Sequence, residues 1–196
     1  MSAQLSCFLI GADTLLMECG EVLLSEGHDI RGVITSEPRV AQWCASQAVR
    51  VIDAAGDYRA ALAERPFDYL FAITHLAIIP DDVLELPAKL AINFHDGPLP
   101  RYAGLNTPVW AILNREVAHG VSWHVMSRGV DAGDLLEQVS VDISADETAL
   151  SLNTKCMAAA LESASPDSQY SWACRDRITT TSSVAPSSVM TAIACS

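Results

Sequence analysis

Short apolar runs alternate with stretches of helical spacing through the first half of this chain, and that alternation narrows the fold before any single residue is weighed. Leu5 to Gly11 reads as a buried strand that ends at a glycine turn. Leu15, Leu16, Cys19, Val22 and Leu23 then recur at helical spacing, with Gly27 as the stop. Asp29 to Thr35 reads as a second strand and Arg39 to Ala48 as a second helix. Val51-Ile52 gives a short third strand, followed by a helix from Asp57 to Arg65. Phe67 to Thr74 is the fourth strand, Asp81 to Leu86 a helical turn, and Lys89 to Phe94 the fifth strand. Strands alternating with helices need right-handed crossovers. The expectation is therefore an α/β fold, a Rossmann-like and mostly parallel sheet with helices on both faces.

The second half closes that sheet. Leu105 to Asn114 reads as a helix, and His119 to Met126 and Leu135 to Val141 as an antiparallel strand pair around the Arg128 to Asp134 loop. Ser144-Ala-Asp-Glu147 has the form of a capping box, opening a helix through Leu152 and Met157 to Leu161. From Ser163 the apolar periodicity stops and Ser, Thr and Ala dominate, as in Thr179 to Ser183. The expected organisation is one domain over 1–162 and a poorly ordered tail over 163–196. The abruptness of the change favours a domain truncated at that end, by a processing or reading-frame accident, over a flexible linker.

Composition bounds the function. With 196 residues, half of them apolar and 18% charged, the chain holds one sizeable core. A net charge of −12, with scattered Lys and Arg, argues against nucleic acid or an anionic membrane as partner. None of the six cysteines forms a Cys-x-x-Cys pair or stands at metal-ligand spacing from a His, so no metal is expected. The start of the chain lacks a basic n-region and its apolar run is short, which fits neither a signal peptide nor a membrane span. A cytoplasmic location with reduced thiols follows. Gly11 stands alone after the first strand, without the further glycines of a dinucleotide fingerprint, so a nicotinamide dehydrogenase is not expected.

The chemistry-bearing residues lie midway along. Asn93-Phe-His95 is followed by Asp96-Gly-Pro-Leu-Pro-Arg-Tyr-Ala-Gly104, and later by Val130-Asp131-Ala-Gly-Asp134. An amide, an imidazole and a carboxylate at strand ends or in loops are the parts that acyl transfer to an amine needs. The imidazole of His95 moves the proton, the carboxylate of Asp131 holds its tautomer and supports the imidazolium, and Asn93 donates to the oxyanion.

Asn-x-His with Leu99-Pro100-Arg101-Tyr102 and Gly104 behind it, and Asp131 in an Asp-x-Gly-Asp loop, resembles the folate-dependent formyltransferases. That family includes the methionyl-tRNA, glycinamide ribonucleotide and sugar N-formyltransferases. The resemblance covers Leu5 to Leu161 in architecture and Ile73 to Leu136 in motif. It implies 10-formyltetrahydrofolate as formyl donor, an amine as acceptor, and Asn93, His95 and Asp131 as catalytic residues. It places the pteridine against Ala77, Ile79, Met126, Ser127, Arg128 and Val130, largely through backbone contacts.

His95-Asp-Gly-Pro98 departs from the family's usual Ser-Leu. It looks like the formyltransferase-like domains at the front of nonribosomal peptide and polyketide assembly lines. The resemblance then implies a small-molecule amine or an aminoacyl amine on a carrier protein as acceptor, in natural-product biosynthesis. Asp96 either binds a cationic amine or bonds turn backbone. Arg101 either steers an anionic acceptor group or forms a surface ion pair. Two competing functions remain. One is a 10-formyltetrahydrofolate hydrolase, which usually carries an extra regulatory domain ahead of the first strand. The other is a non-catalytic docking or structural module.

Other residues have plainer expected roles. His28 is expected at the surface, His119 in a solvent-facing turn, and His124 in packing beside Trp123. His75 is expected to be structural, although within reach of the site. Trp43, Trp110 and Trp123 are read as core or core-edge residues, and Asp134 as a brace for the Asp131 loop. His95 is expected on a loop at the sheet edge.

Overall fold

The computed structural model describes residues 4–164. The parallel strands are β1 (Ser6–Gly11), β2 (Asp29–Thr35), β3 (Val51–Asp53), β4 (Tyr69–Ile73) and β5 (Leu90–His95). The antiparallel strands β6 (Ala118–Val125) and β7 (Leu135–Asp142) complete a seven-stranded sheet in the order β3-β2-β1-β4-β5-β6-β7. The helices are α1 (Asp13–Ser25), α2 (Pro38–Ser46), α3 (Tyr58–Ala63), α4 (Asp81–Leu84), α5 (Thr107–Leu113) and α6 (Ala149–Ala164). This is the Rossmann-like α/β architecture that the alternation implied.

Both sheet faces are buried, as a parallel sheet requires. One face packs α1, α2, α5 and α6 over Leu9, Val33, Phe71, Phe94 and Trp123. The other packs α3 and α4 over Phe8, Ile10, Leu70 and Ala91, with Leu62, Val83 and Met126 beside them. Leu9, Leu15, Leu16, Leu62 and Trp123 are at most 1% exposed. Burying a side chain of that size stabilises by roughly 1.5–3 kcal/mol.

Strand order reverses between β1 and β4, where such sheets usually open a ligand crevice. Here that point is closed. A Cβ on Gly11 would meet the Ile73 carbonyl at 1.9 Å, and the Thr74 hydroxyl donates to the Ala12 carbonyl. The open cleft runs from the end of β4 across β5 to β6.

Several local expectations are corrected. His28 is 5% exposed, its Nδ1 accepting from the Leu5 N–H at 3.4 Å, because the turn after α1 folds back over the start of β1. Trp43 and Trp123 are buried, but Trp110 is 55% exposed, since α5 turns that face away from α6. The cap of α6 is four residues later than expected. The Thr148 hydroxyl accepts from the Ser151 N–H at 3.1 Å and the Ser151 hydroxyl from the Thr148 N–H at 3.0 Å, while Glu147 reaches back to the Ser144 N–H.

α6 also outruns the expected end at Leu161. Ser163 and Ala164 are buried, and the Trp123 indole donates to the Ser163 hydroxyl at 2.9 Å. The rest of the expected tail, 165–196, lies outside the described residues. Cys7, Cys19, Cys44 and Cys156 are free and buried; burial pushes the Cys19 and Cys156 thiols up to about 12, which leaves them unreactive. Among the described residues no helix is long and apolar enough to cross a membrane.

Candidate active site

β5 alternates its side chains between the two faces. Ile92 and Phe94 enter the core under α6, which turns Asn93 and His95 to the opposite face. His95 is therefore the last residue of an interior strand and 6% exposed, not on an edge loop as expected. Antiparallel pairing sets Ser122 of β6 opposite His95, and His124 opposite Asn93.

The loop after β6 doubles back to bring in a carboxylate. A Cβ on Gly133 would lie 1.7 Å from the Val125 carbonyl oxygen, so only glycine allows this return path. Asp131 sits within it at φ 50. Its Oδ2 accepts the Gly104 N–H at 2.8 Å and stands 3.7 Å from His95 Nδ1, and its Oδ1 is 3.5 Å from His124 Nε2.

The imidazole tautomers follow from their partners. His95 Nε2 is 2.5 Å from the Tyr102 carbonyl, an acceptor only, so in the neutral ring Nε2 carries the hydrogen and Nδ1, 3.7 Å from the Asp131 carboxylate, is the basic nitrogen. The Tyr102 carbonyl thus joins Asp131 in orienting this imidazole. His124 Nδ1 donates to its own strand at the Val125 carbonyl, 3.0 Å away, so its Nε2 is free to accept from the Asn93 amide nitrogen at 3.1 Å. That bond turns Nδ2 of Asn93, rather than its oxygen, into the site and leaves a second N–H for substrate. His124, expected as packing, is a positioning residue for Asn93.

The segment after His95 is held from beneath. His119 Nε2 donates to the Asp96 carbonyl at 2.8 Å, and Thr107 donates to the same oxygen. The Ser122 hydroxyl accepts from the Leu99 N–H and donates to the Gly97 carbonyl. His119 is 3% exposed, not in a solvent-facing turn, because α5 covers the start of β6. Gly97 is needed for this packing, since a Cβ there would meet the Tyr102 oxygen at 2.7 Å and His95 Nε2 at 3.0 Å. Gly97→Ala should separate His95 from Tyr102, lowering stability by about 1–3 kcal/mol and turnover at least about tenfold. Denaturant unfolding and steady-state rates on one preparation check both.

A cavity of about 550 Å³ opens over these groups. Asn93, His95 and Asp131 line it, as do Ala77, Ile79, Met126, Ser127, Arg128 and Val130, so all nine residues singled out from sequence converge there. It wraps around the end of β5. One wall, from Leu76 to Leu84 and Met126 to Val130, belongs to the face covered by α4, and the other carries Asn153 and Met157 of α6.

A family model described as formyl transferase matches residues 24–164, which hold every one of these groups. The chain belongs to the formyl transferase family. Its fold is that of phosphoribosylglycinamide formyltransferase from Anaplasma phagocytophilum, at 22% identity and a TM-score of 0.73 over 81% of this chain and 82% of that one. The Bacillus halodurans phosphoribosylglycinamide formyltransferase matches at 18% identity and a TM-score of 0.70, over 78% and 88%. An N-formyltransferase from Helicobacter canadensis, solved with folinic acid and dTDP-3-aminofucose, matches at 20% identity and a TM-score of 0.67. There 81% of this chain is covered and 60% of that one.

Within this formyl transferase, three further residues are resolved by the geometry. His75, expected as structural, lines the cavity. Arg101 forms the surface ion pair, 2.5 Å from Glu116, whose carboxylate also accepts from the Tyr102 hydroxyl. Asp96 lines the cavity, and it is its backbone carbonyl, accepting from His119, that anchors the turn. Among the described residues no cluster of His, Cys, Asp and Glu is placed to hold a metal.

Burial pushes the imidazoles of His75, His119 and His124 below their usual range, so they fold neutral. Unfolded, they titrate near 6.5. Their contribution is therefore whole above that pH and is lost as pH falls toward their folded values, because the unfolded chain takes up protons that the folded chain refuses. The urea midpoint should fall between pH 7.5 and 5, and His119→Gln should make that fall shallower.

Proposed function

We propose that this formyl transferase moves a formyl group from 10-formyltetrahydrofolate to a primary amine. The observation that carries the reading is the Asp131 carboxylate held 3.7 Å from the free Nδ1 of His95, with the Asn93 amide in the same cavity. The cavity's α4-side wall is largely apolar and offers loop backbone from Leu76 to Ile79 and Met126 to Val130, which suits a flat heterocycle. The Helicobacter canadensis relative, solved with folinic acid, supports a folate donor.

His95 Nδ1 takes the proton of the amine as its nitrogen bonds to the formyl carbon. Asn93 donates its second N–H to the oxygen that becomes negative, an interaction typically worth about 2.7–4 kcal/mol of barrier. Asp131 stabilises the imidazolium thus formed. His95 then returns the proton to the departing folate nitrogen, the carbon–nitrogen bond to folate breaks, and the products are an N-formylamine and tetrahydrofolate. One imidazole, acting first as base and then as acid, closes the proton balance.

The His-Asp-Gly-Pro segment supports a carrier-bound aminoacyl group as the acceptor, and the strongly negative net charge disfavours one carried on nucleic acid. The test is tetrahydrofolate release from 10-formyltetrahydrofolate with and without free and carrier-bound amines. Release that depends on an amine supports the transferase. Release in water alone replaces it with a hydrolase, and no release with no folinic acid binding by folded protein replaces it with a non-catalytic module.

A further inference from the structure

The cavity's charges are unevenly placed. Its described lining holds three carboxylates, Asp81, Asp96 and Asp131, against one guanidinium, Arg128. Arg128 is paired to Asp81 at 3.0 Å, on the α4 side. Asp131 accepts the Gly104 N–H and lies within 3.7 Å of both imidazoles. Asp96 is different. It follows His95 directly, is half-buried, and lies toward α6, where its charge helps to raise the Cys156 thiol. Among the described residues no Lys or Arg stands within ion-pair distance of it. Its Oδ1 is 3.3 Å from the Thr107 hydroxyl, whose proton is directed at the nearer Asp96 carbonyl. The backbone of Asp96 is fixed through that carbonyl by two buried side chains, Thr107 and His119, which anchors the point from which the carboxylate extends.

We propose that Asp96 selects the acceptor: it receives the incoming amine as an ammonium and rejects amines that carry a carboxylate or phosphate near the nitrogen. This rests on the formyl-transfer reading above and names its substrate class, amines whose neighbouring acid is masked as amide, ester or thioester. An ammonium held by Asp96 shares the cavity with His95, the base that first passes one of its protons to solvent and then serves the transfer of the neutral amine as above. A free amino acid would bring its own carboxylate against Asp96 with no cation on that wall to offset it. The same holds for a phosphorylated amine.

The test compares alaninamide with alanine, and ethanolamine with phosphoethanolamine, as acceptors for the wild-type protein and for Asp96→Asn. Wild type should favour the uncharged-tail member of each pair by at least about tenfold in kcat/KM, and Asp96→Asn should erase most of that ratio. Comparing ratios between proteins cancels the amines' own basicities. Asp96→Lys should shift preference toward alanine and phosphoethanolamine. Folinic acid affinity of each variant reports that fold and donor wall persist. Transfer with ratios unchanged in both variants overturns the role of Asp96 and leaves formyl transfer standing. Absence of transfer to all four amines by wild type overturns the reading beneath, and this inference with it.

Discussion

Exchange of His95 for Gln should lower amine-dependent tetrahydrofolate formation by about 10³–10⁴-fold, with the folded protein retained. General acid–base groups contribute on that scale, and here one imidazole carries the proton in both half-steps. Gln is the informative replacement because its amide can still donate to the Tyr102 carbonyl, the partner of His95 Nε2. What it lacks is the basic nitrogen at the Nδ1 position. Initial rates and melting temperature measured on one preparation decide the matter. Turnover within tenfold of wild type would remove His95 as the proton carrier, and a collapsed melting transition would require His95→Asn in its place.

The second large effect is expected for Asp131→Asn, a loss of about 10²–10⁴-fold in kcat. The residue occupies left-handed backbone at φ 50, which Asn tolerates nearly alone among side chains of this shape. The Asn oxygen can go on accepting the Gly104 N–H, so the loop keeps its anchor. Only the charge that supports the His95 imidazolium is lost. Asp131→Glu retains that charge but fits neither the φ nor the short reach, and should fare no better. Since His95 and Asp131 act as one unit, the double variant should be little slower than His95→Gln alone. Additive losses would show that Asp131 serves some other step.

The contrast between His95 and His124 shows where sequence reasoning reached its limit. His95 was legible because its neighbours, Asn93 and Leu99 to Gly104, form a continuous motif. His124 sits in a strand buried on both faces, with burial from His119 through His124. Period-two alternation then says which residues share a face but not what that face meets. Only the register that sets His124 against Asn93 shows its role. His119 was hidden for the same reason, its covering helix α5 being separated from it by a turn. The parallel sheet followed from the order of apolar runs. Its ligand cleft did not, because the approach of Gly11 to Ile73 and of Thr74 to Ala12 joins residues far apart in sequence. Trp110 misled because apolar character alone does not reveal which side of α5 is covered.

The position of β5 between a parallel and an antiparallel neighbour also governs when this enzyme becomes an enzyme. A chain synthesised through His95 can assemble β1 to β5 and the Leu76 to Leu84 part of the α4-side wall. One edge of β5 then remains open until β6, which begins at Ala118, has emerged. Asn93 has no His124 to orient it, His95 has no carboxylate, and the α6 wall is still to be made. Chemical competence thus waits on β6 and α6, and until β6 pairs an apolar strand edge stays exposed, the interval in which wrong pairing with another nascent chain competes with completion.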